Sequence, residues 1–163
     1  MKMKPALFFL LFLVFGCQQQ DSPDRTNFND PRVEETAYNP QLAEELGADA
    51  YGMRQYVLAF LKSGPNRSQD SLKAAQLQKA HLDNISRLAE EGKLVLAGPF
   101  MDRGEVRGIY IFNVTSLEEA KALTESDPAV QAGRLVMELH PWYGSAALVM
   151  LNQMHRQLAK KSF

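Results

Sequence analysis

The sequence predicts an α+β protein with the ferredoxin-like element order βαββαβ, followed by an added C-terminal helix. Three observations lead to this fold class. Four apolar runs have the length of strands, two amphipathic stretches of helical length separate them in the required order, and the last stretch again has helical spacing. The composition is that of a globular protein, since 45% of the residues are hydrophobic and 23% are charged.

The first half of the predicted domain contains a strand, a long helix and a hairpin. Residues 56–61 are a continuous apolar run, which is typical of a buried strand, and a Gly-Pro turn follows them. Residues 70–91 have the apolar spacing of a helix that ends at Gly92. Residues 94–100 and 107–114 are predicted to form two strands joined by a hairpin loop.

The second half completes the pattern with one helix and one strand. Ser116 and Glu119 have the spacing of a helix capping box, so residues 117–124 are predicted to be helical. Residues 135–142 form the predicted fourth strand. Residues 147–160 have apolar side chains at helical spacing, and we expect this helix to pack on the domain or on a partner.

Residues 1–16 have the form of a bacterial lipoprotein signal peptide. Two lysines precede an apolar core at residues 6–15, which is shorter than a membrane-spanning helix requires. A glycine then precedes Cys17, the only cysteine of the chain, and this ending resembles a lipobox. The sequence therefore predicts a lipid anchor at Cys17 and a location in the bacterial cell envelope, at the periplasmic or outer-membrane face. An uncleaved N-terminal anchor with an incidental cysteine is the alternative.

The remaining chain divides into three predicted parts. Residues 17–50 are polar at their start and are predicted to be a flexible tether with a short helix that begins at Pro40. Residues 51–145 contain the ferredoxin-like domain. Residues 146–163 contain the C-terminal helix.

The first predicted strand is apolar on both of its faces, which implies that both faces of the sheet are covered. Two crossover helices can cover only one face of a four-stranded sheet. Leaving the second face in water would forgo about 1.5–3 kcal/mol for each large side chain. We therefore expect a homodimer packed through this face, and cover by the C-terminal helix is the alternative. The two sets of side chains are Val57, Ala59 and Leu61, and Tyr56, Leu58 and Phe60.

His81 and Asp127 are the candidate catalytic residues. His81 lies four residues from both Leu77 and Ile85, so its ring should face the sheet. A neutral core histidine would explain this position, whereas a functional imidazole needs an orienting partner and access to a ligand. Asp127 is the candidate partner because the second crossover helix runs beside the first. An Asx turn or N-cap ahead of Pro128 also explains this aspartate.

Several stretches of the sequence are similar to the YCII-related domain family. In chain order they are AHLDNISRLAEEGKLVLAGPF, RGIYIFNV, SLEEAKALTESDPAVQAGR and ELHPWYG, and the resemblance covers about residues 54–145. The flanking GADAYGM and GSAAL resemble the lipid-anchored or secreted members. The resemblance implies a dimeric α+β barrel, similar to muconolactone isomerase, with a catalytic histidine and aspartate that match His81 and Asp127. One branch of the family is associated with dehydrochlorination of hydroxylated aromatic rings.

These residues lead to one expected function and two alternatives. A His81–Asp127 pair could act as a lyase or isomerase on a small aromatic or carbonyl compound, without a cofactor. Arg67, Arg103 and Arg107 lie near predicted turns and could bind an anionic or phenolic ligand, although solvated surface positions also explain them. The alternatives are a non-catalytic lipoprotein that binds a small molecule and a structural lipoprotein of the envelope.

Other classes of function are disfavoured by charge and by motif. The net charge of −1 lacks the basic excess that nucleic-acid binding requires. The three histidines do not have metal-ligand spacing, and the one cysteine is assigned to the lipid, so no metal site is expected. No GxSxG, P-loop or GxGxxG motif occurs, which disfavours serine hydrolases, NTPases and dinucleotide enzymes.

Overall fold

The computed structural model describes residues 38–161, which form an α+β fold with the predicted ferredoxin-like order. The predicted signal peptide, Cys17 and residues 17–37 of the predicted tether lie outside the described residues. The strands are β1 (Met53–Ser63), β2 (Leu94–Pro99), β3 (Val106–Phe112) and β4 (Leu135–Ser145). The helices are α1 (Pro40–Glu45), α2 (Ser71–Glu90), α3 (Leu117–Glu125), α4 (Pro128–Gln131) and α5 (Leu151–Leu158), and a 3₁₀ segment (Ala146–Met150) precedes α5.

The four strands form one antiparallel sheet in the order β2-β3-β1-β4. The long central strand β1 pairs with β4 along its whole length and with β3 on its other side. α2 connects β1 to β2, and α3 with α4 connects β3 to β4. This is the strand order and connectivity of the predicted fold class, which is thereby confirmed.

Side-chain caps fix where the crossover helices begin. Asp70, Ser116 and Asp127 each accept a hydrogen bond from a backbone N–H in the first turn of α2, α3 and α4 respectively. The sequence predicted an Asx turn or an N-cap at Asp127, and the structure has the N-cap, since the short helix α4 begins at Pro128. Proline suits the first position of a helix because its fixed φ is already helical and its missing N–H would have no helical acceptor there.

The main hydrophobic core lies between the crossover helices and one face of the sheet. The side chains of this core are almost completely buried, and burial of each large one contributes about 1.5–3 kcal/mol to folding. The members of this core are Val57, Ala59, Leu61, Leu88, Leu94, Tyr110, Phe112, Val114 and Ala120.

The 3₁₀ segment covers one end of the opposite sheet face. Leu148 and Val149 pack on the buried side chains of Tyr56, Val95 and Ile111. The sequence prediction of one continuous helix over residues 147–160 is wrong, because the chain forms a 3₁₀ segment first and only then α5. The 3₁₀ segment brings two consecutive apolar residues onto the sheet directly after β4 ends.

The other end of this face has no cover within residues 38–161. Phe60 is only partly buried there, and Val136 is 46% exposed. His140 lies edge-on to Phe60, with ring centroids 5.5 Å apart. The C-terminal residues therefore cover only part of the second face, and the homodimer remains a prediction.

Residues 38–50, which the sequence assigned to the tether, contact the sheet. The side chain of Arg54 on β1 donates a hydrogen bond to the carbonyl oxygen of Leu46 at 2.8 Å. The hydroxyl of Tyr143 on β4 donates to the carboxylate of Asp49. Among residues 38–161, no helix has the length and apolarity needed to cross a bilayer.

Candidate functional site

A cavity of about 360 Å³ lies between α2 and the sheet. Its wall is built from the middle of α2, the ends of β1 and β2, the first half of β3, the start of β4, and α4. Small-molecule sites in proteins commonly have this size and a largely apolar wall. Apolar residues that line it include Leu61, Leu82, Ile85, Ala97, Pro99 and Leu135.

His81 and Asp127 are in direct contact beside this cavity. His81 Nδ1 lies 2.6 Å from Asp127 Oδ2, although the two residues are 46 positions apart in the chain. His81 lines the cavity and is 8% exposed, whereas Asp127 is fully buried. The other carboxylate oxygen, Oδ1, accepts a hydrogen bond from the backbone N–H of Ala129 at 2.8 Å. Asp127 is therefore both the N-cap of α4 and the partner of the imidazole.

Tyr110 completes a row of three hydrogen-bonded groups. An ionised carboxylate can only accept, so we assign the proton of the neutral imidazole to Nδ1, which leaves Nε2 as an acceptor. The hydroxyl of Tyr110 lies 3.3 Å from His81 Nε2. Burial raises the pKa of Tyr110, and the charge of Asp127 raises it further. The hydroxyl therefore stays protonated at neutral pH and donates to Nε2.

The rings of His81 and Tyr110 also lie nearly parallel, with centroids 6.2 Å apart and an interplanar angle of 16°. Both residues line the cavity. This stacking and the two hydrogen bonds hold the imidazole in one orientation, which an acid–base group requires.

A polar contact next to the pair joins α2 to the end of α3. Asn84 lies one helical turn after His81 and is buried. Its Oδ1 accepts hydrogen bonds from Arg87 at 2.7 Å and from Ser126 at 3.3 Å. Because Ser126 directly precedes Asp127, this contact helps to position the carboxylate relative to α2.

The structure separates the three predicted ligand-binding arginines. Arg67 and Arg107 line the cavity, whereas Arg103 lies in the loop between β2 and β3 and is absent from the cavity wall. Arg134, which the sequence reasoning did not select, also lines the cavity. Its position directly after a glycine and before β4 puts it at the same end of the sheet as Arg67.

The remaining histidines lie away from the cavity. His140 Nε2 is 2.9 Å from a carboxylate oxygen of Glu138, and both side chains are about half exposed on the opposite sheet face. His155 is exposed on α5. Within residues 38–161, no three His, Cys, Asp or Glu side chains come together as a metal site would require.

Two known proteins have limited similarity to this chain. The uncharacterized protein YjpA of Bacillus subtilis (strain 168) is 34% identical over 62 residues, which cover 38% of this chain and 71% of YjpA. The second is the structure of 5-chloro-2-hydroxyhydroquinone dehydrochlorinase (TftG) from Burkholderia phenoliruptrix AC1100 in complex with 2,5-dihydroxybenzoquinone. It has a TM-score of 0.42 and 23% sequence identity, and the match covers 53% of this chain and 92% of that one.

The family match is more extensive than either of these and agrees with the resemblance found in the sequence. The YCII-related domain family matches residues 56–143, a segment that runs from β1 to β4 and includes His81, Tyr110 and Asp127. The matched segment is more than half of the 163 residues, and the chain therefore belongs to the YCII-related domain family.

Proposed function

We propose that the cavity is the active site of a lyase- or isomerase-type enzyme, in which His81 and Asp127 move a proton on a small aromatic or carbonyl compound. The observation that carries this proposal is the 2.6 Å contact between His81 Nδ1 and Asp127 Oδ2 at the cavity wall. A buried carboxylate that accepts a hydrogen bond from Nδ1–H leaves Nε2 as the unprotonated nitrogen of the ring, which is the arrangement used in general acid–base catalysis.

The proposed reaction begins with one proton transfer. His81 Nε2 takes a proton from a ligand atom next to a carbonyl group, and the negative charge moves to the carbonyl oxygen. The imidazolium that forms is stabilised by the carboxylate of Asp127. For this transfer the hydroxyl of Tyr110 turns from Nε2 to the ligand oxygen, which frees the Nε2 lone pair and gives the developing negative charge a donor. Return of the proton at another atom gives an isomer, whereas departure of a leaving group completes an elimination.

A purely structural role for His81 is the main alternative. It would require only that the ring nitrogens have partners, and backbone groups usually serve for that. Here the partner is a fully buried carboxylate, and the ring lines a cavity in place of a closed core. Burying a carboxylate is costly unless it is paired, so a site that needed only packing would be better served by apolar side chains.

Hydrogen–deuterium exchange tests this proposal without knowledge of the natural substrate. Phenylpyruvate and cyclohexane-1,2-dione are small ring compounds whose protons next to the carbonyl exchange with D₂O through an enol. The wild-type protein should accelerate this exchange, as followed by proton NMR. His81→Gln should reduce the acceleration by about 10²–10⁴-fold, because the general base is lost. Asp127→Asn should reduce it as well, because an amide can present its N–H₂ to Nδ1 and stabilise the wrong tautomer.

The matched control is His140→Gln. It removes the other histidine–carboxylate pair, which lies on the opposite sheet face and outside the cavity, and should leave the exchange rate unchanged. Circular dichroism and thermal unfolding show whether His81→Gln remains folded. Equal exchange rates in the wild type and in folded His81→Gln would reject the catalytic role. Compounds that bind to the wild type and are recovered without chemical change would favour a protein that only binds small molecules.

We also propose that Cys17 is lipidated and anchors the protein in the bacterial cell envelope. The support is the order of two lysines, an apolar run and Gly16 before the only cysteine. In a bacterial host, Cys17→Ala should prevent lipidation. The variant should then be found in the soluble fraction or remain as the uncleaved precursor. Mass spectrometry of the mature wild-type chain should find acyl groups on Cys17, since stable anchoring requires more than one chain. An intact N-terminus at Met1 in the membrane fraction would support the uncleaved anchor instead.

A further inference from the structure

Two turns hold Arg67 and Arg134 side by side at the cavity. The backbone N–H of Gly64 donates to the carbonyl oxygen of Arg134 at 2.8 Å, and that of Asn66 donates to Gly133 at 3.0 Å. A Cβ on Gly64 would lie 2.2 Å from the carbonyl oxygen of Gly133, so only glycine permits this approach. Arg67 Nη1 also donates to the carbonyl oxygen of Arg134 at 3.2 Å. These contacts join the two turns and so place both arginines at the cavity wall.

The guanidinium groups at the cavity have neutral partners. Arg134 Nη1 donates to the amide oxygen of Gln69 at 2.7 Å, and Arg107 Nη1 lies 3.4 Å from the carbonyl oxygen of Gly104. Within residues 38–161, no Asp or Glu lines the cavity, and none forms an ion pair with any of its three arginines. Three positive charges that pair with no carboxylate of the described residues give this part of the cavity a positive potential.

The charges at the cavity are separated along its wall. The carboxylate of Asp127 lies next to the cavity, fully buried behind His81. Arg67 lies on the exposed loop between β1 and α2. A ligand with one anionic group would therefore be oriented, with that group on the arginines and its neutral part toward the imidazole. Apolar residues such as Leu82, Ile85 and Pro99 complete the wall and suit a ring or another flat apolar body.

From these contacts we infer that the cavity selects small ring-bearing carboxylates, whose carboxylate is bound by Arg67 and Arg134. The inference rests on the proposed small-molecule site and names the class of compound that it takes. A carboxylate is favoured because the guanidinium fork forms two parallel hydrogen bonds with it. Arg107 adds positive charge elsewhere on the wall and has no assigned contact with the ligand.

Benzoate and benzamide test this selection because they have nearly the same shape and differ in charge. Their dissociation constants would be measured by ligand-observed NMR with the full-length protein in mild detergent. The wild type should bind benzoate at least about tenfold more tightly than benzamide, as expected for one charge-assisted hydrogen bond. Arg134→Gln and Arg67→Gln should each remove most of this preference and leave benzamide binding within about twofold. Arg134→Lys should keep part of it, because the charge remains while the fork is lost.

Arg103→Gln is the matched control, since this arginine is exposed in a nearby loop and is absent from the cavity wall. It should leave both dissociation constants unchanged. The inference is overturned if the wild type does not bind benzoate, if it binds both probes equally, or if Arg103→Gln weakens benzoate as much as Arg134→Gln does.

His81→Gln separates this inference from the proposed catalytic function. The variant should lose the exchange activity and retain the preference for benzoate. If the preference depends on Arg134 while the wild type catalyses no exchange, the carboxylate site stands and the catalytic function fails. If exchange depends on His81 while benzoate binding does not depend on the arginines, the opposite conclusion follows.

Discussion

At the scale of single residues, the carboxylate of Asp127 accepts two hydrogen bonds, one that caps a helix and one that orients the imidazole. Oδ1 caps α4 through the backbone of Ala129, and Oδ2 binds the imidazole of His81. Because the group is fully buried, losing either bond would leave an unsatisfied charge in the core, which is strongly destabilising. Glutamine is therefore the better test substitution for His81 than alanine, since its amide can still donate to Asp127.

Tyr110 links the site to stability at alkaline pH. Burial raises its pKa above the ordinary 10.0, and the nearby charge of Asp127 adds to this. Above pH 10 the unfolded chain releases a proton that the folded chain keeps. The free energy of unfolding therefore falls as pH rises, by about 1.4 kcal/mol per pH unit for each such proton. Tyr110→Phe removes this proton and should flatten the fall, as measured by urea unfolding at a series of pH values above 10.

Two other tyrosines affect how that experiment is interpreted. The pKa of Tyr56 is raised by burial, and that of Tyr143 is raised by its hydrogen bond to Asp49, so some alkaline loss of stability should persist in Tyr110→Phe. Tyr51 is 86% exposed, and Tyr51→Phe supplies the control for the loss of an exposed tyrosine. The same slope in Tyr110→Phe and in the wild type would contradict the assignment of a protonated donor to His81.

Helical periodicity was enough to predict which way His81 faces, because one helical turn separates it from apolar residues on both sides. It was not enough to select Tyr110 or Arg134. In the sequence, Tyr110 is one more aromatic residue of an apolar strand. Its hydroxyl has a partner only because α2 packs on the sheet and brings His81 within hydrogen-bonding distance. Arg134 becomes part of the site because its turn meets the loop at Gly64, a contact between segments about 70 positions apart that local pattern does not specify.

At the scale of helices and strands, the capped starts of α2 and α3 could be predicted from the sequence, whereas ends that are set by tertiary contacts could not. α2 and α3 begin where Asp70 and Ser116 cap them. β4 extends to Ser145, past the predicted end at residue 142, although it contains Pro141. Proline lacks an N–H and is tolerated there because β4 is an edge strand, a position that is defined only by the assembled sheet.

The crossover elements also explain why the site forms between α2 and α4. Sequence spacing alone could place the end of the second crossover near the first helix, yet it left open whether Asp127 starts a helix or only an Asx turn. α4 is a helix of only 4 residues, too short for an apolar period to be recognised. Its first turn holds Asp127 by the backbone, and this fixes the carboxylate against the side of α2 that carries His81.

At the scale of the whole molecule, the two faces of the sheet differ in how they are covered. The helices cover one face along its length, and the 3₁₀ segment covers only one end of the other. At the remaining end, Val136 is 46% exposed beside the partly buried Phe60. The sequence could predict that both faces are apolar, because residues 56–61 of β1 are all apolar and do not alternate with polar residues. It could not predict how far the C-terminal residues reach, since that depends on the exact path of the chain after Ser145.

The uncovered end leads to the prediction that two copies of the chain pair through this face. Val136→Asp places a charge there and should weaken the dimer without unfolding the chain, because Lys62 lies directly opposite on β1. Leu117→Asp is the control, since Leu117 is similarly exposed, at 41%, but lies on α3, on the other side of the sheet. Analytical ultracentrifugation of residues 18–163 should find a dimer for the wild type and the control and a larger monomer fraction for Val136→Asp. A monomeric wild type at high protein concentration, or equal dissociation in both variants, would mean that the second face is completed in some other way.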